Sequence, residues 1–259
     1  MMIEFLGVAL DQLANQAAKF HYLSQGRYRM PLTLRISAGA GYHFGSQHSQ
    51  MLESWVTATP GVKLALPSNA ESAYHLTRAA IRDDGPVVLL EHHALYGDRQ
   101  EFDIGAPSRY RIGSAVVERE GSGVTLVGLA QTAKFLRQAL PDLLDHDPEI
   151  IDLSTLAPWD RETVIASVSK TGRLVIVEES PYSAGWGTQV ASEVSAACFG
   201  DLRSPVLRIT TPDAPVPYSF DLEDRWLPKP AYIVEQVDEY MRTSKLPAPW
   251  WTEDEVLAS

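Results

Sequence analysis

Two hydrophobic periods alternate along this chain. Residues 32–36, Leu-Thr-Leu-Arg-Ile, alternate apolar with polar and read as a buried strand. Leu10, Leu13, Ala14 and Ala17 instead share one face of a helix. Ahead of that helix, residues 2–5 read as the end of a strand. Downstream, a short helix over 49–58 stops at Thr59-Pro60-Gly61, and a short strand follows at 63–66. Ser68 to Glu71 has capping-box spacing and opens a helix that runs to about Arg82. Asp83-Asp84-Gly85-Pro86 breaks it before a continuous apolar strand at 87–91. This βαβ rhythm predicts a mostly parallel sheet.

Between His92 and Tyr110 the periodicity gives way to Gly, Pro and charge, as in a linker. A second series follows. Strands at 115–119 and 124–129 flank Glu120-Gly121-Ser122-Gly123, which reads as a hairpin-like turn. Helices are expected at 132–144, 160–170, 187–199 and 231–241, and strands at 149–153, 173–178 and 205–209. The pattern therefore predicts an α/β protein with two open, mostly parallel-sheet domains, spanning 1–100 and 111–243, and a tail at 244–259. Trp250 and Trp251 in that tail suit either a docking surface or packing back onto the parent domain.

Composition narrows the function classes. Of 259 residues, 45% are hydrophobic and 21% charged, as in globular proteins. A net charge of −11 with scattered Lys and Arg argues against a nucleic-acid partner. The single cysteine, Cys198, rules out an internal disulfide and reads as a small core residue. No apolar run has transmembrane length, and residues 1–10 lack the features of a signal peptide, so the expected location is cytoplasmic with no membrane partner. Nucleotide-binding glycine motifs, a nucleophile elbow and His-Glu-x-x-His are all missing.

The candidate chemistry collects after the strand at 32–36. Gly39, Gly41 and Gly45 mark a loop in which the backbone can take positive φ or approach a ligand closely. That loop carries His43 and His48 and leads to a helix start, a common way to build a site in an open α/β sheet. An ordinary strand-to-helix connection is the alternative. Two adjacent pairs draw notice as well. Glu178-Glu179 could act as acid and base, but neighbours on a strand point apart, so a solvated pair is expected. By the same logic at most one of His92 and His93 faces a site.

Many short words, in order along nearly the whole chain, then point to one family. They include Asp11-Gln12, residues 15–19 Asn-Gln-Ala-Ala-Lys, Gln47-His48-Ser49-Gln50, and Pro60-Gly61-Val62-Lys63. Further on come Ala80-Ile81-Arg82-Asp83, Leu90-Glu91-His92, Leu95-Tyr96-Gly97, and Asp152-Leu153 with Thr155-Leu156 and Pro158. Residues 170–174 Lys-Thr-Gly-Arg-Leu, Val177-Glu178-Glu179 and the run 212–219 complete the set. With these the chain resembles the β subunit of the thiamine-diphosphate-dependent, decarboxylating component of 2-oxo acid dehydrogenase complexes. That family, of pyruvate, branched-chain and acetoin types, is transketolase-like.

The resemblance implies a pyrimidine-binding domain, here to about residue 100, followed by a transketolase C-terminal domain. It implies an α2β2 heterotetramer in which the α subunit holds the diphosphate and a divalent metal, Mg2+, and a lipoyl-bearing acyltransferase as the next partner. Phe5 matches the aromatic that packs on the aminopyrimidine, and a flat apolar side chain suits a flat ring. His48 matches the histidine that serves acid/base or positioning duty during acyl transfer. Leu32, Ala80, Ile81, Asp83 and Gly85 match positions that hold a structural monovalent cation, such as K+, in some members. Asp83 as a mere helix-end residue is the alternative, because Gly85 replaces the usual Asn.

The chain also departs from the family. The resemblance begins downstream of the family's first strand and helix and of a Thr-Pro-Ile-Ser-Glu word. The glutamate of that word protonates N1′ of the pyrimidine, and without the strand the sheet would expose an edge. Three accounts follow: a late start or fragment, a companion chain that supplies this segment, or a non-catalytic assembly subunit. His43 and Phe44 stand where the family has small residues, and Ser154 replaces a frequent Arg. The expected function is that of the β subunit of a 2-oxo acid dehydrogenase, inactive alone. A split transketolase or acyloin-forming enzyme is the alternative reaction.

Overall fold

The structure is a computed structural model and describes residues 1–251. Its first segment is helical throughout. A 3-10 turn at Ile3–Phe5 leads into α1 (Leu6–Asp11), a π-helical stretch at Gln12–Ala17, and α2 (Ala18–Leu23). This corrects the expectation of a strand end at 2–5. Ile3, Leu6, Leu13, Ala17 and Ala18 are the positions buried, a helical spacing that a strand could not satisfy. A single parallel bridge from Met2 to Ser37 is all the sheet pairing this segment makes.

The first sheet contains β1 (Thr33–Ala38), β2 (Lys63–Ala65) and β3 (Val87–His92), all parallel, in the order β1-β3-β2. Helices α3 (Glu53–Thr57) and α4 (Ala70–Ile81) make the connections. The cap of α4 lies one residue later than its spacing suggested. Asn69 accepts the Ser72 N–H, and the Ser72 hydroxyl accepts the Asn69 N–H. Ser68 is drawn away instead, to the buried Asp152 carboxylate.

The second sheet contains β4 (Val116–Arg119), β5 (Val124–Gly128) and β6 (Pro148–Asp152), then β8 (Leu174–Pro181) and β9 (Leu207–Thr211). Its order is β4-β6-β5-β8-β9, and only β4 runs antiparallel. The expected hairpin at 120–123 is therefore wrong, since β4 and β5 flank β6 from opposite sides. Ser122 and Gly123 donate their N–H groups to the Asp147 carbonyl at 3.1 and 2.9 Å. A Cβ on Gly121 or Gly123 would strike the 146–148 backbone, so these glycines serve close approach.

Helices α5 (Ala130–Leu143), α6 (Arg161–Thr171), α7 (Trp186–Ala197) and α9 (Pro230–Thr243) cover this sheet. Two elements went unforeseen. The short strand β7 (Thr155–Ala157) leaves the second sheet and pairs antiparallel with β2 in the first. The seven-residue helix α8 (Phe220–Trp226) follows a proline-rich run that carries no helical pattern. One apolar core joins the two sheets: Ile36, Leu64 and Leu90 pack in the same cluster as Val127, Ile151 and Ile176. Cys198 lies in that cluster, 1% exposed, as expected.

Trp250 stacks on Tyr232 at 4.7 Å, and its indole N–H reaches the Thr210 carbonyl at 3.1 Å. The tail thus packs back onto its own domain as far as Trp251, while the rest of the acidic end lies outside the described residues. No helix among the described residues is long and apolar enough to cross a membrane. The corrected cap is testable by urea unfolding. Asn69→Ala should cost about 1 kcal/mol, whereas Glu71→Ala should stay within about 0.5 kcal/mol; the reverse order would restore the cap at Ser68.

Candidate active site

The loop of residues 39–50 leaves the C-terminal end of β1, beside the end of β3, where open parallel sheets place their sites. It is closed at its base, where Gly39 N–H donates to the Gln50 carbonyl at 3.2 Å. A compact loop with joined ends and an internally packed body is an Ω-type loop. Gly39 sits at φ +96°, and a Cβ there would overlap the His92 ring, so no larger residue fits.

Carboxylates from three separate segments accept the loop's backbone N–H groups. Glu179 on β8 takes Ala40 N–H at 2.6 Å, and Glu223 on α8 takes Gly41 N–H at 2.8 Å. Glu4, in the first 3-10 turn, takes Gln50 N–H at 2.8 Å. Bonds of this kind to a charged acceptor are the stronger class. Between the pinned ends lies His48, half buried, with its N–H on the Gly45 carbonyl at 3.1 Å.

Phe5 and His48 meet across the loop. Their ring centroids are 5.4 Å apart at an interplanar angle of 82°, an edge-to-face pair. Phe5 keeps 42% of its surface exposed. Among Phe5, His48 and their sequence neighbours, three buried polar atoms lack a hydrogen-bond partner among the described residues: Glu4 Oε2, His48 Nδ1 and Ser49 Oγ. Buried polar atoms are normally paired, so each of these is free to meet a further polar group.

The adjacent Glu178 and Glu179 do point apart, but neither is solvated. Both are buried, which corrects the expectation of a surface pair. Glu179 binds His92 Nε2 at 2.8 Å as well as Ala40 N–H. Ala94 N–H donates to His92 Nδ1, so the proton of this imidazole sits on Nε2 and faces Glu179. Glu178 accepts from Arg208 Nε at 2.7 Å and from Gly187 N–H at 2.9 Å. Burial nonetheless pushes its carboxyl up to about 7, with Glu53 adding to the rise against the pull of Arg208. Burial likewise raises Glu53, whose carboxylate takes the Ser180 hydroxyl.

Both His92 and His93 are buried, and the two take different surroundings. His93 packs edge-on against Tyr42 and Phe44, at 5.3 Å from each, and its pKa is lowered to about 4, mainly by burial. His43 adopts φ +57° and packs on Phe220, with ring centroids 3.7 Å apart and the planes tilted by 31°.

The residues matched to a monovalent cation lie near the start of β3, and the one carboxylate among them is already engaged. The Asp83 carboxylate holds the Lys63 ammonium at 2.5 Å and the Gly85 N–H at 2.9 Å. The Leu32 carbonyl accepts Val87 N–H, and the Ala80 carbonyl accepts Asp83 N–H. Ile81 is largely exposed. The Lys63 ammonium already meets the charge that would favour a metal cation.

Comparison with known proteins places this geometry in a family. Residues 1–99 match the transketolase pyrimidine binding domain, and residues 113–233 match the transketolase C-terminal domain. The β subunit of acetoin:2,6-dichlorophenolindophenol oxidoreductase from Cupriavidus necator is 38% identical over 249 residues, 95% of this chain and 73% of that protein. The β subunit of the pyruvate dehydrogenase E1 component from Porphyra purpurea is 35% identical over 249 residues, 95% of this chain and 74% of its own. The chain belongs to the transketolase-like family of E1 β subunits. A solved split-gene transketolase, in an inactive β4 tetramer, matches 94% of this chain and 75% of that one with a TM-score of 0.73. At 20% identity that likeness bears on the fold alone.

In this E1-type β subunit the buried Glu178 sets a pH dependence. Its pKa is raised on folding, so its contribution to stability is full below the ordinary carboxylate range and is lost as pH rises towards about 7. The loss is on the order of 3 kcal/mol. Urea unfolding of Glu178→Gln should show a shallower fall between pH 5 and 8 than the parent; equal slopes would place the titration elsewhere.

Proposed function

We propose that this chain is the β half of a thiamine-diphosphate enzyme that decarboxylates a 2-oxo acid and passes the acyl group to the lipoyl group of an acyltransferase. The observation that carries the reading is the meeting of Phe5 and His48, edge to face, with His48 Nδ1 buried and unpaired among the described residues. The family supports it too, since similar proteins are named for acetoin and for pyruvate.

Thiamine diphosphate, when bound, supplies a nucleophilic carbon and an electron sink for loss of CO2. The exposed Phe5 ring offers the flat apolar face on which an aminopyrimidine packs. His48 supplies an imidazole, the side chain suited to moving a proton near neutral pH, at the reacting centre. The closed loop fixes that imidazole on a rigid base, so orientation does not depend on a mobile chain.

An α subunit, in an α2β2 assembly, completes the site in this reading and holds the diphosphate with its Mg2+. Exposed aromatic surface at Phe5, Tyr42, Phe44, Tyr218 and Phe220 supports such a covering partner. A companion segment or chain is the proposed source of the proton at pyrimidine N1′. A K+ ion near Asp83 would share the carboxylate with Lys63, and the chemistry does not call for it.

The test is acceptor transfer by the α–β complex. His48→Ala should leave assembly intact and lower acyl transfer to a lipoyl domain by about 10²-fold. Unchanged transfer would remove His48 from the site. Turnover with aldehyde acceptors and none with lipoyl would replace the dehydrogenase reading by a ketol-transferring one.

A further inference from the structure

We propose that Glu223 is a positioning residue for His48: with His43 and Phe220 it anchors the outer half of the loop and so sets where the imidazole stands. The inference rests on the dehydrogenase reading for its effect on turnover, and on geometry alone for the anchoring.

Three observations meet at this point. The first is burial without an electrostatic need. The Glu223 side chain is wholly buried, beside a small apolar cluster of Ala40, Val216, Trp226 and Leu227. An ionised carboxylate is expensive to bury, and an apolar side chain of similar size would suit such surroundings. The carboxylate is accounted for by what it holds. Oε1 accepts Gly41 N–H at 2.8 Å, and Oε2 lies against His43 Nδ1, touching it without the alignment of a regular hydrogen bond.

The second is backbone strain. His43 has φ +57°, a conformation that costs a non-glycine residue about 1 kcal/mol or more. The strain is retained where surrounding contacts over-determine it. Here the His43 ring is held on one face by Phe220 and at Nδ1 by Glu223. The third is the reach of the anchor along the loop. Gly45 packs so closely on Tyr218 that a Cβ would come within 3.0 Å of that ring. Gly45 is the residue whose carbonyl receives the His48 N–H. The segment 216–227 therefore holds the loop at Gly41, His43 and Gly45, and the last of these touches His48 directly.

The experiment compares Glu223→Leu, Glu223→Gln, His48→Ala and the Glu223→Leu/His48→Ala double variant in the α–β complex. Glutamine can still accept Gly41 N–H and donate to His43, so it should keep most of the parent transfer rate. Glu223→Leu should lower acyl transfer to a lipoyl domain by about 10²-fold, the scale of a small misplacement. It should cause no further loss on the His48→Ala background, because both act through one group. Independent additive losses would overturn the proposal, since a merely structural role adds.

Amide hydrogen exchange on the same complexes reads the anchoring apart from any reaction. Glu223→Leu should speed exchange across residues 40–48, and Glu223→Gln should not. Unchanged exchange in Glu223→Leu would overturn the anchoring even if turnover fell. Faster exchange together with an inert His48→Ala would leave the anchor standing and remove the catalytic reading instead. Should Glu223→Leu fail to fold, Glu223→Gln paired with His43→Ala tests the same anchor: faster exchange in His43→Ala alone supports it, and parent-like exchange in both overturns it.

Discussion

The hydrogen bond from Gly39 N–H to the Gln50 carbonyl is the constraint on which the site depends. It makes residues 39–50 a closed ring of backbone and not a strand that wanders to the next helix. Closing a loop of this size has an entropic cost, and its body lacks the ladder partners of a sheet. Its amides must find acceptors elsewhere. Three of them find carboxylates, each delivered by a different part of the fold. Glu4 comes from the first helical turn, Glu179 from β8 of the second sheet, and Glu223 from the short helix α8. The loop is thus positioned by the whole chain.

That arrangement explains an otherwise costly interior. Glu53, Glu178, Glu179 and Glu223 are all buried close to the junction of the two sheets. Each is met by a specific donor: Ser180, Arg208 with Gly187, His92 with Ala40, and Gly41. Replacing them with apolar residues would remove the desolvation cost, which burial expresses as the raised pKa values of Glu53 and Glu178. For Glu179 and Glu223 it would also leave amides of the loop without acceptors. At those two positions the carboxylates are accounted for by the loop they hold. The second sheet acts as a template for a loop that belongs to the first.

The βα rhythm of the chain carried most of the fold, because parallel strands such as β3 and β8 open with four consecutive apolar residues. What escaped was short or dictated from a distance. Met2, Ile3 and Phe5 carry apolar side chains that suit either period, and only the helical burial of Ile3 and Leu6 decides between them. The turn at 120–123 has hairpin chemistry, yet β6 inserts between its two strands, an event no local pattern announces. At the candidate site, only the family resemblance set His48 apart from His43, while the glycine loop was legible from the spacing of Gly39, Gly41 and Gly45. The partner of that loop was not. Glu223 sits in a seven-residue helix after a proline-rich run, 182 residues from the amide it accepts. Glu179 looked like half of a solvated pair because alternation on a strand predicts opposite directions but not two buried faces.

Alternation itself turns out to be what makes the pair useful. In a strand covered on both sides, consecutive carboxylates reach two different structures at once. Glu178 turns to Arg208 and to Gly187 at the start of α7, and so fastens its own domain. Glu179 turns to His92 and Ala40, and so fastens the end of β3 and the base of the loop. The two groups share a backbone, so a shift of β8 that relaxed one would disturb the other. Pinning the loop to this strand gives His48 the rigidity of a sheet while leaving it on a loop, where its ring can face Phe5. A histidine placed on the strand itself would have been just as rigid, but the strand's two faces are already filled by the core.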